Sequence, residues 1–306
     1  MIGYAPELNY EYEHYGTSPK ILEEILSGDH PVYEKLCEAE LPMIITSSHV
    51  LSREDGDGVY NTLKMIAEKT NVFDADNSWN GLNILHNEAS RVGLMDLGVQ
   101  QYQGNDSIKN AKLIYLLAAD EFREEDIPED AFVIYQGHTG DKGAHFADLV
   151  LPGASYLEKH GSYVNTDGRV QIARKVVGTP ALAREDWAIL RALSEELGQP
   201  LPYDNVDQIR DRIVELAPHL LKYDGLETSS FGELAIEHKS GSTKLNDVPF
   251  ADTIDNFYMT DAISRQSSVM AKCSKEFNPK KFKNFKDPDF DFAFLRVKFF
   301  ATFCHY

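Results

Sequence analysis

Three short, nearly unbroken apolar runs mark the middle of the chain: Leu113-Ile-Tyr-Leu-Leu-Ala118, Phe132-Val-Ile-Tyr135 and Ala147-Asp-Leu-Val-Leu151. Each is rich in aliphatic, β-branched or aromatic residues and bounded by turn residues. That is the pattern of strands buried on both faces of a parallel sheet. Pro42-Met-Ile-Ile-Thr-Ser-Ser48 predicts an earlier strand. An acidic turn, Arg53-Glu-Asp-Gly-Asp-Gly58, then leads into a helix from about Val59 to Lys69. Helical spacing appears first at Ile21, Leu22, Ile25 and Leu26, with Ser18 to cap, Pro19 at the first helical position and Gly28 to close. A second helix is predicted near Leu82 to Val92, ended by Gly93.

Past Pro152 the texture turns to loops and short polar strands up to about Val177. Two amphipathic helices follow. Asp186 is placed to cap the first, whose face is Trp187, Leu190, Leu193 and Leu197, with Gly198 at its end. Asn205 is placed to cap the second, with Gln208 in the reciprocal position, Val206, Ile209, Ile213 and Leu216 as its stripe, and Pro218 as its stop. Residues 229–253 read as a loop-rich connector, and a last helix is predicted from about Thr260 to Cys273. Strands alternating with helices argue for the α/β class, with Rossmann-like layers and a largely parallel sheet, C-terminal helices and an irregular tail.

Charge narrows the functions available. The 306 residues hold 30 Lys+Arg against 49 Asp+Glu, a net charge of −19, which opposes a phosphate backbone and argues against nucleic-acid partners. No apolar run reaches the roughly 18 residues a membrane-spanning helix needs, so no direct membrane span is expected. Cys37, Cys273 and Cys304 are too far apart for a CxxC zinc or cluster-ligand pattern. Residues Met1 to Gly16 carry Glu7, Glu11 and Glu13 but no Lys or Arg, unlike an Arg-rich transit peptide. The expectation is that any targeting address is unnecessary, removed or carried by another polypeptide. The stretch from Ser274 to Tyr306 is different in kind, with a net charge of +3 and nine of the 16 Phe. Two readings stay open for it: docking onto an acidic partner, or folding back on the acidic body.

Candidate chemistry is sparse. Gly56-Asp57-Gly58-Val-Tyr-Asn61 approaches a dinucleotide-binding loop, but Asn61 replaces the third glycine, and Glu54, Asp55 and Asp57 would repel a pyrophosphate. It reads as a plain acidic loop. Gly137-His-Thr-Gly-Asp-Lys-Gly-Ala-His145 is glycine-rich and follows a strand, yet lacks the GK[ST] of a P-loop. His138, Asp141, His145 and Asp148 fit no standard metal-ligand spacing, so a glycine-shaped loop at a strand's carboxyl end is preferred. The acidic residues between Asp120 and Asp130 read as a solvated loop. No catalytic, cofactor-binding or metal-binding residue is assigned.

One stretch carries a resemblance. Ala147-Asp-Leu-Val-Leu-Pro-Gly-Ala-Ser-Tyr-Leu-Glu-Lys-His-Gly-Ser-Tyr-Val-Asn-Thr-Asp-Gly-Arg-Val-Gln171 resembles a run of the molybdopterin-oxidoreductase family. Ser18–Leu22, Asn83–His86, Ala183–Ser194, Leu201–Asp204, Phe257–Arg265 and Val269–Cys273 are similar to the C-terminal part of the largest iron–sulfur subunit of mitochondrial complex I. The resemblance implies a molybdopterin-oxidoreductase-like fold in which residues 1–177 form the α/β region. Residues 178–273 would then be a helical region of the same unit, and 274–306 a basic docking tail. It implies a structural core piece of the peripheral arm, on the matrix side of the mitochondrial inner membrane, supporting electron transfer from NADH to ubiquinone. Iron–sulfur clusters and FMN would sit in partner subunits and none in this chain. The partners implied are a chain carrying the N-terminal iron–sulfur part and other peripheral-arm subunits. The alternatives are half of an active molybdopterin-dependent oxidoreductase, and a free nucleotide-binding protein using the Gly56–Gly58 loop.

Overall fold

The first helix, α1 (Lys20–Ser27), starts one residue later than the pattern says, with Pro19 rather than Ser18 in the capping position, and stops where it says. The Ser18 hydroxyl accepts the Lys20 N–H at 3.3 Å, and Gly28, at φ 89°, closes the last turn. The computed structural model describes residues 1–74, 76, 79–99, 106–227 and 243–278 of the chain. It divides into two units, Met1–Thr253 and Ile254–Tyr306.

In the first unit α1 is followed by α2 (Val32–Glu38), β1 (Ile44–Ser47), α3 (Ser48–Leu51) and α4 (Gly56–Lys69). A small antiparallel pair, β2 (Phe73–Asp74) and β3 (Trp79–Asn80), precedes β4 (Leu82–Leu85), which lies parallel to β1 with Ile44 opposite Leu82. Then come α5 (Arg91–Asp96), α6 (Asp106–Lys109), β5 (Leu113–Leu117), β6 (Phe132–Gly137), α7 (Lys142–Phe146) and β7 (Leu149–Pro152). Strands β5, β6 and β7 form one parallel sheet in that order, with Leu113 opposite Phe132 and Ile134 opposite Leu149. The antiparallel hairpin β8 (Gly161–Val164) and β9 (Val170–Ala173) turns at Gly168. It is followed by α8 (Asp186–Glu196), α9 (Val206–Leu216) and a 3-10 turn at Pro218–Leu221.

Three apolar clusters hold the unit. Helices α1 and α4 bury Ile21, Leu22, Ile25, Val59, Leu63 and Ile66 against Phe250, with Ile44 and Leu82 from the β1–β4 pair at the margin. Each such side chain contributes about 1.5–3 kcal/mol on burial. One face of the three-stranded sheet packs Leu116, Val133 and Tyr135 against Ile127, Phe122 and Ala144. The hairpin contributes Val164 and Val170 to a third cluster with Ala217 and Leu220.

Several expectations are corrected. Leu82–Leu85 is a strand, not part of a helix. Pro42 O would lie 2.1 Å from a Cβ on Gly81, and Gly81 is pinned between Val72 O and Ile44 N–H, so the chain leaves it extended along β1. The helix that follows is α5, and Gly93 lies inside it, where a Cβ would meet Val164 at 2.8 Å. Helix α4 begins at Gly56, so the Gly56–Gly58 segment is helix rather than loop. Only β6 is buried along nearly its whole length; β5 and β7 are partly exposed.

The residues before α4 are paired rather than merely acidic. Arg53 ion-pairs the buried Asp55 at 2.8 Å and donates to Asn246 Oδ1, Val248 O and Pro249 O, strapping residues 246–249 onto the unit. Of the predicted 229–253 connector, 229–242 lie outside the described residues; 243–253 contain no helix or strand.

In the second unit the helix predicted over 260–273 is two helices, α10 (Ala262–Arg265) and α11 (Ser268–Phe277). Asp261 and Ser264 form a capping box that starts α10, and the Ser267 hydroxyl caps α11 through Met270 N–H, so each helix has its own side-chain start. Buried Ser274 accepts from Asn256 Nδ2 at 2.6 Å. Residues 279–306, most of the predicted tail and Cys304, lie outside the described residues.

Candidate functional site at the carboxyl edge of the parallel sheet

Ligands of open parallel sheets sit beyond the carboxyl ends of the strands. In this chain that edge of β5, β6 and β7 is filled by its own side chains. Gln136, fully buried near the end of β6, accepts from the Tyr115 hydroxyl of β5. Its Nε2 donates to Asp186 Oδ1 at 2.9 Å and to Asp186 O at 3.3 Å. The other carboxylate oxygen of Asp186 pairs with Lys159. Asp186 therefore does not cap α8 as predicted; it crosses to the sheet. Gly153 makes room for it, since a Cβ there would stand 2.8 Å from Asp186 Oδ1. Burial, with Asp186 nearby, holds the Tyr115 phenol above its ordinary value.

A second polar tie lies on the opposite face. Asp120 is buried, which corrects its reading as part of a solvated loop. Its carboxylate accepts the Tyr135 hydroxyl at 3.1 Å and the Gly143 N–H at 2.8 Å. Burial first and then Asp120 push the Tyr135 phenol well up, so it stays a donor. His138 follows β6; burial and the Lys159 ammonium hold it below the ordinary imidazole value, against the opposing pull of Asp186, Glu158 and Asp120.

The other histidines and carboxylates of the 137–148 segment go separate ways. His145 Nδ1 lies 2.8 Å from Asp141 O, and Asp148 Oδ2 accepts the Val133 N–H at 2.8 Å. Among the described residues no group of three His, Cys, Asp or Glu is placed to hold a metal ion. Cys37 and Cys273 are free thiols, both partly buried.

Next to the Lys159–Asp186 pair opens a cavity of about 310 Å³ between α5, β8, α8 and α9. Its wall is mainly apolar: Leu94, Leu97, Val164, Trp187, Ile209 and Ile213. The charged groups at its rim are already matched. Glu185 meets Lys175 at 3.4 Å, and Arg210 meets Asp207 at 3.0 Å. Sequence reasoning missed Tyr115 and Gln136, because one lies inside an apolar strand run and the other directly after one, where a polar residue carries no spacing signal. Gly153 and Lys159 lay within the quoted motif without an assigned role.

The motif residues themselves build turns. Glu158 Oε2 accepts the Ser155 N–H at 2.9 Å, and Asn165 Oδ1 accepts the Arg169 N–H at 2.8 Å across the hairpin turn. Arg169 in turn donates to Asp224 O at 2.8 Å.

Together these features define an α/β protein of the parallel-sheet class whose strand ends are closed by internal hydrogen bonds. The chain belongs to the molybdopterin oxidoreductase family: that family's model matches residues 1–196, and a second model, for the C-terminal region of an NADH-ubiquinone oxidoreductase subunit, matches residues 225–273. The chain is 46% identical over 278 residues to the mitochondrial NADH-ubiquinone oxidoreductase 78 kDa subunit of Neurospora crassa, covering 90% of this chain and 37% of that protein. It is 47% identical over 292 residues to the subunit of the same description from Candida albicans, covering 92% and 39%. It is 43% identical over 273 residues to the mitochondrial NADH dehydrogenase [ubiquinone] iron-sulfur protein 1 of Solanum tuberosum, covering 89% and 36%. The chain thus spans under two fifths of the length of these relatives.

The family implies a molybdopterin, an anionic pterin that needs phosphate donors and a metal ligand. The two glycine segments do not fit the phosphate of such a group: the Gly143 N–H is taken by Asp120, and a Cβ on Gly58 would lie 2.4 Å from Lys244 O, so neither offers a cradle.

Proposed function

We propose that this chain is the molybdopterin-oxidoreductase-like part of the largest iron–sulfur subunit of respiratory complex I, a structural core piece with no redox centre of its own. The observation that carries the reading is 46–47% identity, over nine tenths of the chain, to the 78 kDa subunits of two fungi. The strand ends tied by Tyr115, Gln136 and Asp186 agree with a supporting role. On this reading the iron–sulfur clusters and FMN belong to partner polypeptides, and the piece sits in the peripheral arm on the matrix side of the inner membrane. Residues 1–177, 178–273 and 274–306 would be its α/β region, helical region and docking tail. No helix among the described residues is long and apolar enough to cross a membrane.

The alternative, half of an active molybdopterin-dependent oxidoreductase, is not favoured by these relatives. Native electrophoresis of the tagged chain from mitochondria tests the reading. Co-migration with NADH-oxidising complex I is expected, and migration apart from every respiratory complex rejects it. Elemental analysis of that complex should find iron without molybdenum or tungsten; either of those metals in stoichiometric amount would revive the alternative.

A further inference from the structure

Parallel sheets are ordinarily covered on both faces. Among the described residues each parallel sheet is packed on one face; on the other, Asp186 and Lys159 reach over Gln136 of the three-stranded sheet while the surrounding strand positions stay exposed. In the β1–β4 pair, Ile44 and Leu82 turn to the α1–α4 cluster. Their neighbours Ile45 and Leu85 lie on the opposite face, which follows from strand alternation and the pairing of Ile45 with Asn83 and of Ser47 with Leu85. The three-stranded sheet repeats the arrangement. Leu116, Val133 and Tyr135 face the cluster beneath α7, while Leu113, Leu117, Phe132 and Leu149 share the other face. These six side chains are between 39% (Leu149) and 60% (Ile45) exposed. Gln136 and Ile134 are buried at the centre of the same face, so it is a shaped seat with an apolar surround rather than a polar surface carrying stray leucines.

We infer that these two open sheet faces are the seat of the polypeptide that supplies the rest of the relatives' length. The Neurospora relative, 46% identical to this chain, has 37% of its length in common with it, so some three fifths of such a subunit is available as the cover. An α/β layer of this class calls for helices with an apolar stripe on its second face, and six large aliphatic or aromatic side chains match such stripes. The occupant is therefore a polypeptide presenting amphipathic helices, whether joined to this chain or separate from it. The inference rests on the functional reading above and assigns it a surface.

A photo-cross-linking benzoylphenylalanine at Phe132 or at Ile45, in the tagged chain assembled in mitochondria, tests it. The control position is Val176, an exposed residue outside both sheets. The expected result is that both sheet positions, and not the control, cross-link to peptides that align with the part of the 78 kDa relatives outside the region matched here. The variant Leu117→Asp/Phe132→Asp should lower co-migration with complex I at least tenfold while its circular dichroism and melting stay at wild-type values. Cross-links confined to a second copy of this chain or to an unrelated subunit, or full assembly of the charged variant, would overturn the surface assignment while leaving the functional reading intact. A wild-type chain absent from every respiratory complex overturns the functional reading instead.

Discussion

Arg53 and Asp55 show how a residue pair read as surface charge becomes part of the frame. The Asp55 carboxylate accepts from Arg53 and from the Asn246 N–H, and together they hold its pKa below the ordinary 3.8. A carboxyl lowered by folding stabilises the fold above its unfolded pKa, and that contribution is lost as pH falls through the folded value. Asp55→Asn should therefore cost stability at neutral pH, up to the roughly 1.5–3 kcal/mol of a charged hydrogen bond, less what the amide retains. The gap from wild type should begin to close as the pH falls below the unfolded value near 3.8, and vanish only below the lowered folded value, where the native carboxyl is itself protonated. Urea titrations at a series of pH values check this. A gap that persists unchanged into acid would assign the loss to packing instead.

At the scale of elements, caps and short runs decide what could be read in advance. The Asn205 carboxamide oxygen accepts from the Asp207 and Gln208 N–H groups, as the sequence predicts for α9. The reciprocal bond involves one residue earlier than the capping pattern says: Gln208 Oε1 accepts the Asp204 N–H at 2.6 Å. Asn205→Ala should destabilise the first unit by about 1 kcal/mol, and Asn205→Asp by much less. Chemical denaturation of the two variants measures the difference, and equal losses would reject the cap. The strands around Leu113, Phe132 and Leu149 were legible because continuous apolar runs between turn residues leave few other solutions. Leu82–Leu85 was not, since four apolar or amide residues fit a helix or a strand until β1 is available to pair with. The site was less legible than the fold. Its working parts, Gln136 with Tyr115 and Asp186, are single polar residues joined only in three dimensions.

For the whole molecule, the charge of −19 is unevenly distributed, with the basic, phenylalanine-rich stretch at the C-terminal end. A truncation meant to test that stretch has to respect α11, which runs to Phe277 and keeps Ser274 buried against Asn256. Cutting after Asn278 leaves those contacts in place. If residues 279–306 dock onto an acidic partner, the shortened chain should melt as before yet assemble with complex I less completely, most visibly at raised salt. Undiminished assembly would reject docking.

The glycines around β6 bear on which substitutions a descendant of this sequence can accept. A methyl group on Gly137 or Gly143 would enter the Tyr135 ring at 2.7 or 2.6 Å, and one on Gly153 would strike Asp186. Close packing forbids all three changes whether or not anything lies above the strands. The glycine-rich strand end is therefore held by the neighbouring tyrosine and aspartate themselves, independently of any ligand.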